Sequence, residues 1–183
     1  NNDITNASST WQFASGLWSN LAVTCIAFDP NAPGTMYVGT GEGWGSTPST
    51  SRGLGVFKSV DSGKTFTQLT ATKTFYYVND IIVRNEAGKS VVYCATDLQY
   101  FSGAWHGTSS VGLMRSTNGG VTFSNVMPTI PSSSNVYVVA DIELGADNRI
   151  WVGTRQNYLQ TATDKGGGRI MYSDNGTSFT VAY

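Results

Sequence analysis

Charged side chains are scarce in this sequence. Lys, Arg, Asp and Glu make up 13% of the 183 residues, and the formal net charge is −1. A chain with no surplus of positive charge lacks the electrostatic footprint that a polyanion partner requires, so we expect no contact with nucleic acid. No uninterrupted run of about 18 apolar residues occurs either, so the sequence predicts no membrane-spanning helix.

Cysteine and histidine are almost missing as well. The two cysteines, Cys25 and Cys94, are too few for a disulfide framework and lie in apolar patterns, which favours small buried thiols over a bridge between neighbouring units. The one histidine is His106, so Ser–His catalysis and multi-His metal binding have little support. No stretch supplies several oxygen ligands at the spacing of a calcium-binding loop. We therefore predict neither a metal nor a cofactor.

The sequence is rich in glycine and in short apolar stretches, which is typical of strands joined by turns. Of the 183 residues, 21 are Gly and 40% are hydrophobic. One segment, residues 59–66, reads Ser-Val-Asp-Ser-Gly-Lys-Thr-Phe and lies between two predicted strands. The Asp61 carboxylate can accept backbone N–H groups of its own turn, and Gly63 can adopt the positive φ that a tight hairpin needs.

This segment recurs at a nearly fixed interval. Residues 116–123 repeat it with Asn118 in place of the aspartate, and residues 172–179 repeat it with Asp174 at that position. The step from 61 to 118 and the step from 118 to 174 are almost equal, and such a period in an all-β pattern predicts a propeller or a solenoid. The residues that we assign a structural role in the three turns are Ser59, Asp61, Gly63, Thr65, Phe66, Ser116, Asn118, Gly120, Phe123, Asp174, Gly176 and Phe179.

The pattern Ser-x-Asp-x-Gly-x-Thr-Phe resembles the Asp box, also called the BNR repeat. That motif marks the β-propellers of sialidases, xyloglucanase-like glycoside hydrolases, sortilin-type receptors and many bacterial secreted proteins. The stretch at residues 29–42, Asp-Pro-Asn-Ala-Pro-Gly-Thr-Met-Tyr-Val-Gly-Thr-Gly-Glu, looks like the Asp-box proteins that Bacteroidetes-type bacteria export, many of them through the type IX secretion system. The resemblance implies an all-β propeller with the box on the outer rim of each blade.

The repeat divides the chain into a short N-terminal segment and three predicted blades of four antiparallel strands, A to D. Residues 1–20 contain Thr10-Trp11, which lies about one repeat before Thr65-Phe66 and is predicted to be the outer strand of a preceding blade. The blades are predicted at residues 21–70, 71–127 and 128–183. Propellers have about four to eight blades, and the chain begins at Asn1 without Met. We therefore expect a fragment whose partners include the remaining blades of the same protein.

The loops between strands B and C carry large aromatic residues that blade packing does not explain. All such loops emerge on one face of a propeller, so we expect their aromatic residues to form a platform for a glycan or a protein. The alternative is that these rings fold back over neighbouring loops. The candidate ligand-binding residues are Glu42, Trp44, Tyr100, Trp105, His106, Arg155 and Tyr158.

Two carboxylates occupy equivalent positions on the predicted A strands, which line the channel of a propeller. Asp80 and Asp141 are these residues, and Cys25 holds the same position in the first blade. Facing carboxylates could act as acid and base in glycoside hydrolysis, or each could bond to backbone or water. Because the arginine triad typical of sialidases is not evident, we assign no catalytic residue and keep the two aspartates as weak candidates.

These patterns favour a non-catalytic binding or structural module of a secreted or cell-surface protein, whose loops recognise a glycan or a protein. The resemblance adds the type IX secretion machinery as a partner of exported cargo. It also leaves a second interpretation open, in which the chain is part of a xyloglucanase-like or sialidase-like glycoside hydrolase. The residues do not decide whether the full protein is an enzyme, although they favour a protein without catalytic activity.

Overall fold

The chain folds into three four-stranded antiparallel sheets, as the repeat predicts. The computed structural model describes residues 21–43 and 51–182. The predicted segment 1–20 with its strand at Thr10-Trp11, and the loop residue Trp44, lie outside these ranges. In each sheet the strands follow one another in chain order from one edge to the other. Each sheet is therefore one up-and-down blade, and we number the blades 1 to 3 along the chain.

The four strands of each blade occur in the predicted order along the chain. Blade 1 contains β1 (Val23–Phe28), β2 (Met36–Thr40), β3 (Val56–Ser59) and β4 (Thr67–Gln68), and a 3-10 turn, η1 (Thr70–Thr72), follows it. Blade 2 begins with β5 (Val78–Glu86) and β6 (Lys89–Thr96), continues through the small hairpin of β7 (Gln99–Phe101) and β8 (Ala104–His106), and ends with β9 (Gly112–Ser116) and β10 (Ser124–Asn125). Blade 3 contains β11 (Val138–Leu144), β12 (Ile150–Arg155), β13 (Ile170–Ser173) and β14 (Thr180–Val181).

The first strand of every blade carries a bulge at the same position. The residues at the three bulges are Thr24, Asn79 and Ala140. The Thr24 hydroxyl donates to the Val78 carbonyl at 2.5 Å, and the Asn79 amide donates to the Val139 carbonyl at 2.9 Å. Bulges re-aim side chains, and those of blades 1 and 2 bond the inner strand to the inner strand of the next blade. Ala140 has no side-chain donor for such a bond.

Apolar side chains of neighbouring blades pack face to face in two seams. The seam between blades 1 and 2 includes Ala27, Tyr37, Val56, Ile81, Val83, Val92 and Cys94. The seam between blades 2 and 3 includes Tyr93, Ala95, Leu113, Ile142, Ile150 and Val152. Because successive side chains of a strand point to opposite faces, Val92 and Cys94 pack toward blade 1 while Tyr93 and Ala95 pack toward blade 3. This two-sided burial explains the continuous apolar sequence of β6.

Both cysteines are free thiols, Cys94 buried and Cys25 half-buried. Burial raises the pKa of the Cys25 thiol to about 12 and that of Cys94 well above its ordinary value. Neither thiolate therefore forms at neutral pH, and both side chains act as small apolar residues of the first seam.

The outermost strands are shorter than the sequence predicts. The sequence pattern extends them over residues 65–69, 122–126 and 178–182, whereas β4, β10 and β14 contain two residues each. The first residues of each predicted strand belong to the repeat turn instead, because Thr65 and Thr122 bond to the side chains of Asp61 and Asn118. A two-residue outer strand leaves few unpaired edge groups.

The first two repeat turns share one hydrogen-bond pattern. The Ser59 hydroxyl donates to Asp61 at 2.8 Å, and Asp61 accepts the N–H and the hydroxyl of Thr65 at 2.9 and 2.6 Å. Asn118 makes the equivalent contacts in the second turn, where Thr122 donates its N–H to Oδ1 at 3.0 Å and accepts from Nδ2 at 2.8 Å. The carboxylate and the amide therefore serve the same turn.

The third turn corrects our sequence alignment by one position. Its bonds are made by Ser173 and Asn175 and not by Asp174, since Asn175 Oδ1 accepts the N–H of Thr177 at 2.9 Å and the Ser173 hydroxyl at 3.2 Å. Asp174 is exposed and pairs with Arg149 at 2.7 Å. With Asn175 in register, the step of the repeat from 61 to 118 equals the step from 118 to 175.

Replacing Asp61 by asparagine tests the carboxylate turn. Hydrogen bonds from Thr65 and Ser59 lower the pKa of the Asp61 carboxyl from 3.8 to about 2. A carboxyl whose folded-state pKa is depressed stabilises the fold above its unfolded pKa, and this contribution is lost as the pH falls through the folded pKa. We expect Asp61→Asn to lower the melting temperature slightly at pH 7. Between about pH 4 and 2 the melting temperature of the variant should fall less than that of the wild type. Circular dichroism melts across this range measure the effect, and an undiminished decline in the variant would contradict the turn role.

Candidate binding site on the loop face

A threonine at the end of each B strand fixes the loop that follows it. The Thr40 hydroxyl donates to the Gly55 carbonyl at 2.7 Å, and the Thr154 hydroxyl donates to the Gly166 carbonyl at 2.7 Å. Thr96 makes the same kind of bond in blade 2. The three B-to-C loops therefore leave their sheets at equivalent points, and we call the surface that they form the loop face.

The loop of blade 2 contains a hairpin where the sequence pattern predicts only a long loop. Strands β7 and β8 pair with Tyr100 opposite Trp105, and Ser102-Gly103 joins them with φ values of 48° and 83°. Positive φ at both central residues is the geometry of the tight turns that suit hairpins. The signal was present in the sequence as a Ser-Gly pair between two short aromatic stretches.

Three exposed aromatic side chains, Tyr100, Trp105 and Tyr158, meet on the loop face, and we call them the aromatic platform. Tyr100 and Trp105 meet edge to face with ring centroids 5.4 Å apart. Trp105 and Tyr158 come from loops of neighbouring blades and lie nearly parallel, with 14° between their planes and centroids 6.2 Å apart. Tyr100 is 47% exposed, Trp105 36% and Tyr158 49%. The platform thus exposes part of three large amphipathic side chains to solvent.

Loops of all three blades converge on an ion pair beside the aromatic platform. Arg155 Nη1 of blade 3 lies 2.5 Å from Asp97 Oδ2 of blade 2 and 3.3 Å from the Gly43 carbonyl of blade 1. Gln99 also donates to this carbonyl. The Arg155 guanidinium lies 5.6 Å from the ring centroid of Tyr158. The predicted site residue Arg155 therefore links the platform to the loops of the other two blades.

Asp97 is buried and serves this junction as a fixed anchor. Burial raises the pKa of its carboxyl, against the opposing effect of the Arg155 guanidinium. Its oxygens accept the Leu98 N–H at 2.7 Å and the Asn79 amide at 3.3 Å. Leu98 packs in a small apolar cluster with Val138 of blade 3. The arrangement joins the loops of neighbouring blades, and the Asp97 side chain is almost fully buried within it.

His106 lies on the other side of the hairpin from Trp105, because adjacent strand residues point to opposite faces. Its ring meets Tyr76 and Phe101 edge to face at centroid distances of 6.3 and 6.2 Å. The Arg52 guanidinium lies 3.8 Å from the Tyr76 ring centroid. His106 is therefore packed among aromatic rings and stands apart from the platform.

Glu42 begins the loop of blade 1. Its N–H donates to the Ser51 carbonyl at 2.8 Å, and its side chain is half-buried. The residue that follows is Gly43, whose carbonyl contacts Arg155. Glu42 thus lies at the base of the loop face, near the three-blade junction.

Asp80 and Asp141 hold equivalent positions directly after the bulge, but their surroundings differ. Asp80 is half-buried and accepts the Ile81 N–H at 2.7 Å and the Ile142 N–H at 3.3 Å. Burial is the main cause of the raised pKa of Asp80. Asp141 is exposed. Because Asp80 joins the inner strands of blades 2 and 3, its environment favours the structural interpretation over catalysis.

Two further findings concern residues 21–43 and 51–182. These ranges include no group of three or more His, Cys, Asp or Glu side chains that could hold a metal ion. They also include no helix that is long and apolar enough to cross a membrane.

Comparison with known proteins identifies the fold. No family model and no curated protein matches the sequence. Solved structures do match, among them the GH74 enzyme of Niastella koreensis (16% identity, TM-score 0.51, 87% of this chain and 30% of that chain). The extracellular domain of BT4673 from B. thetaiotaomicron matches at 13% identity and a TM-score of 0.56 over 94% of this chain and 18% of that chain. YCF48 from Cyanidioschyzon merolae matches at 14% identity and a TM-score of 0.52 over 91% and 38%.

All three are β-propeller proteins. At identities of 13 to 16% the likeness concerns the fold alone. The predicted all-β propeller segment of three four-stranded blades is confirmed by this likeness together with the sheet order. The chain spans between 18% and 38% of the length of these three proteins.

Proposed function

We propose that this chain is a non-catalytic, glycan-binding part of a larger β-propeller and that the aromatic platform holds the glycan. The observation that carries the proposal is the nearly parallel pair of Trp105 and Tyr158, each more than a third exposed. Sugar rings present flat C–H faces, which pack on exposed aromatic rings whose polar edges face water.

Contacts within the protein position the platform without a ligand, which favours affinity. Arg155 is bonded to Asp97 and to the Gly43 carbonyl while it lies over Tyr158. A ring held in this way loses little conformational freedom when a ligand stacks on it, so less of the binding free energy is spent on ordering the site.

Further blades of the same protein are the proposed partners of both end faces of this chain. Ile26 of blade 1 is 57% exposed, although its equivalents Ile81 and Ile142 are 3% and 1% exposed within the two seams. Ile170 of blade 3 is 48% exposed, although its equivalent Val56 is fully buried. The exposed apolar residues of each end face therefore match the residues that pack against a neighbouring blade in the two seams.

An extracellular location fits this function, and we infer a secreted or cell-surface protein. The structural neighbours include a GH74 enzyme and an extracellular domain. We also propose that the three repeat turns are Asp boxes, on the strength of their shared hydrogen bonds. The sequence resemblance supports export through the type IX secretion system, whose machinery would then be a further partner.

Replacing Trp105 or Tyr158 by alanine tests the aromatic platform. We expect either variant to lose about 2 kcal/mol or more of glycan-binding free energy, the size typical of a true aromatic anchor. The melting temperature should change little, because both rings are exposed. Calorimetric titration against a panel of plant and bacterial polysaccharides measures affinity, and Val60→Ala, at an exposed apolar side chain of the first repeat turn, is the control.

Three outcomes of this experiment would contradict the proposal. If Trp105→Ala unfolds the domain while affinity per folded molecule is unchanged, the rings are loop core and not a binding surface. If the variants lose a co-purifying protein and no polysaccharide binds, the platform recognises protein. If the wild type cleaves a polysaccharide, and Asp80→Asn or Asp141→Asn abolishes turnover while binding survives, the chain belongs to a glycoside hydrolase.

A further inference from the structure

Some of the charged side chains around the aromatic platform form ion pairs and others do not. Asp97 is bound to Arg155 at 2.5 Å, and Asp164 is bound to Arg169 at 2.6 Å. In each pair the carboxylate neutralises the guanidinium. These four residues therefore add no net charge to the loop face.

Two cations of the loop face take no part in these ion pairs. Lys165 Nζ lies 6.0 Å from the ring centroid of Tyr158, and the Arg52 guanidinium lies 3.8 Å from that of Tyr76. Neither forms an ion pair with any residue of the described ranges, 21–43 and 51–182. The further carboxylate in the described parts of these loops is the half-buried Glu42. The loop face thus keeps a positive excess, so the net charge of −1, from which the sequence predicts no polyanion partner, does not describe this surface.

Both cations lie over aromatic rings. A cation over the face of an aromatic ring is attracted by the ring quadrupole, which favours the positions of Lys165 beside Tyr158 and of Arg52 beside Tyr76. The two charges lie on opposite sides of the β7–β8 hairpin, because Tyr158 contacts Trp105 on one side and Tyr76 contacts His106 on the other. A polymer that crosses the hairpin while stacking on the platform would pass near both charges.

We infer that the glycan bound by the aromatic platform is anionic and carries carboxylate or sulfate groups that pair with Lys165 and Arg52. This inference rests on the proposed glycan-binding function. A neutral polysaccharide would gain nothing from the two cations, whereas an acidic one would add charge-assisted hydrogen bonds to ring stacking.

The test compares three polysaccharides: polygalacturonate, which carries carboxylates, dextran sulfate, which carries sulfate esters, and the neutral xyloglucan. We expect an anionic polysaccharide to bind more tightly than xyloglucan, and its binding to weaken as salt is raised, because exposed charges are screened. Lys165→Gln and Arg52→Gln should each weaken anionic binding by about two- to fivefold, the range of an exposed ion pair. Lys89→Gln removes an exposed lysine at the far end of β6 and should bind as the wild type does.

Each result then decides one question. Tighter binding of polygalacturonate identifies a carboxylate as the anion, and tighter binding of dextran sulfate identifies a sulfate. If Trp105→Ala loses the binding of that polysaccharide, the aromatic platform is where it binds. Equal affinity for all three polysaccharides, unchanged in Lys165→Gln and Arg52→Gln, would overturn the inference and leave the glycan-binding function intact. If no polysaccharide binds at all, both the inference and the proposed function fail.

Discussion

Replacing Gly55 by alanine is expected to lower the free energy of unfolding by about 3 kcal/mol or more, from the sum of backbone strain and overpacking. Gly55 has a φ of 84°, and a Cβ at this position would overlap the Thr72 carbonyl oxygen. Thr72 cannot move freely, since its hydroxyl accepts the Val56 N–H at 2.9 Å and donates to the Leu69 carbonyl at 2.8 Å. The substitution therefore strains the backbone and displaces the turn that closes blade 1.

Gly168 provides the matched control for this substitution. It lies just before β13 of blade 3, one position earlier than the residue equivalent to Gly55, and has a φ of 72°, but a Cβ there would have no neighbour within 4 Å. Gly168→Ala should therefore cost about 1 to 2 kcal/mol, the backbone strain alone. Urea unfolding of both variants measures the difference, and equal destabilisation would show that φ and not the contact with Thr72 sets the cost.

Replacing Arg155 by methionine is expected to destabilise the fold by about 3 kcal/mol at neutral pH, because it leaves a buried carboxylate without its partner. Arg155 lowers the pKa of Asp97, which burial raises. Without the guanidinium the folded-state pKa of Asp97 rises further above its unfolded value. The folded protein then holds a proton that the unfolded chain releases, so the stability of the variant falls as the pH rises from the ordinary carboxyl pKa of 3.8 toward the raised value.

The comparison across pH separates this electrostatic cost from lost packing. The difference in unfolding free energy between wild type and Arg155→Met should be smallest near pH 4 and should grow toward pH 7. Arg169→Met is the matched control, because it breaks the more exposed pair with Asp164 and should cost about 1 kcal/mol or less. A pH-independent loss in Arg155→Met would mean that Asp97 is not the group responsible.

Much of the aromatic site could be anticipated from the repeat. Trp105 and Tyr158 occupy equivalent loops of successive blades, so the period of the repeat was enough to predict that both loops emerge on one face. The position of His106 could also be predicted once the hairpin is known, because alternation places it on the face away from Trp105. The hairpin itself was not predicted, although the Ser102-Gly103 pair carries its signal.

Other features of the site had no counterpart in the sequence pattern. The bond between Asp97 and Arg155 joins residues that are 58 positions apart in different blades. The repeat places both at the ends of B strands, but only the close approach of the two loops brings their charges together. Asp80 and Asp141 likewise share a position in the repeat, yet one is half-buried between blades and the other is exposed.

The sequence by itself determined the local structure of each blade: the strand order, the repeat turns and the side of the sheet on which each loop emerges. These follow from short-range alternation, turn chemistry and a fixed period. The tertiary structure gave Asn175 the role expected of Asp174, although Ser173 and the equal steps from 61 to 118 and from 118 to 175 already carry this signal in the sequence. It also decided which charges are paired on the loop face, because ion pairing depends on distances between blades that no local pattern encodes.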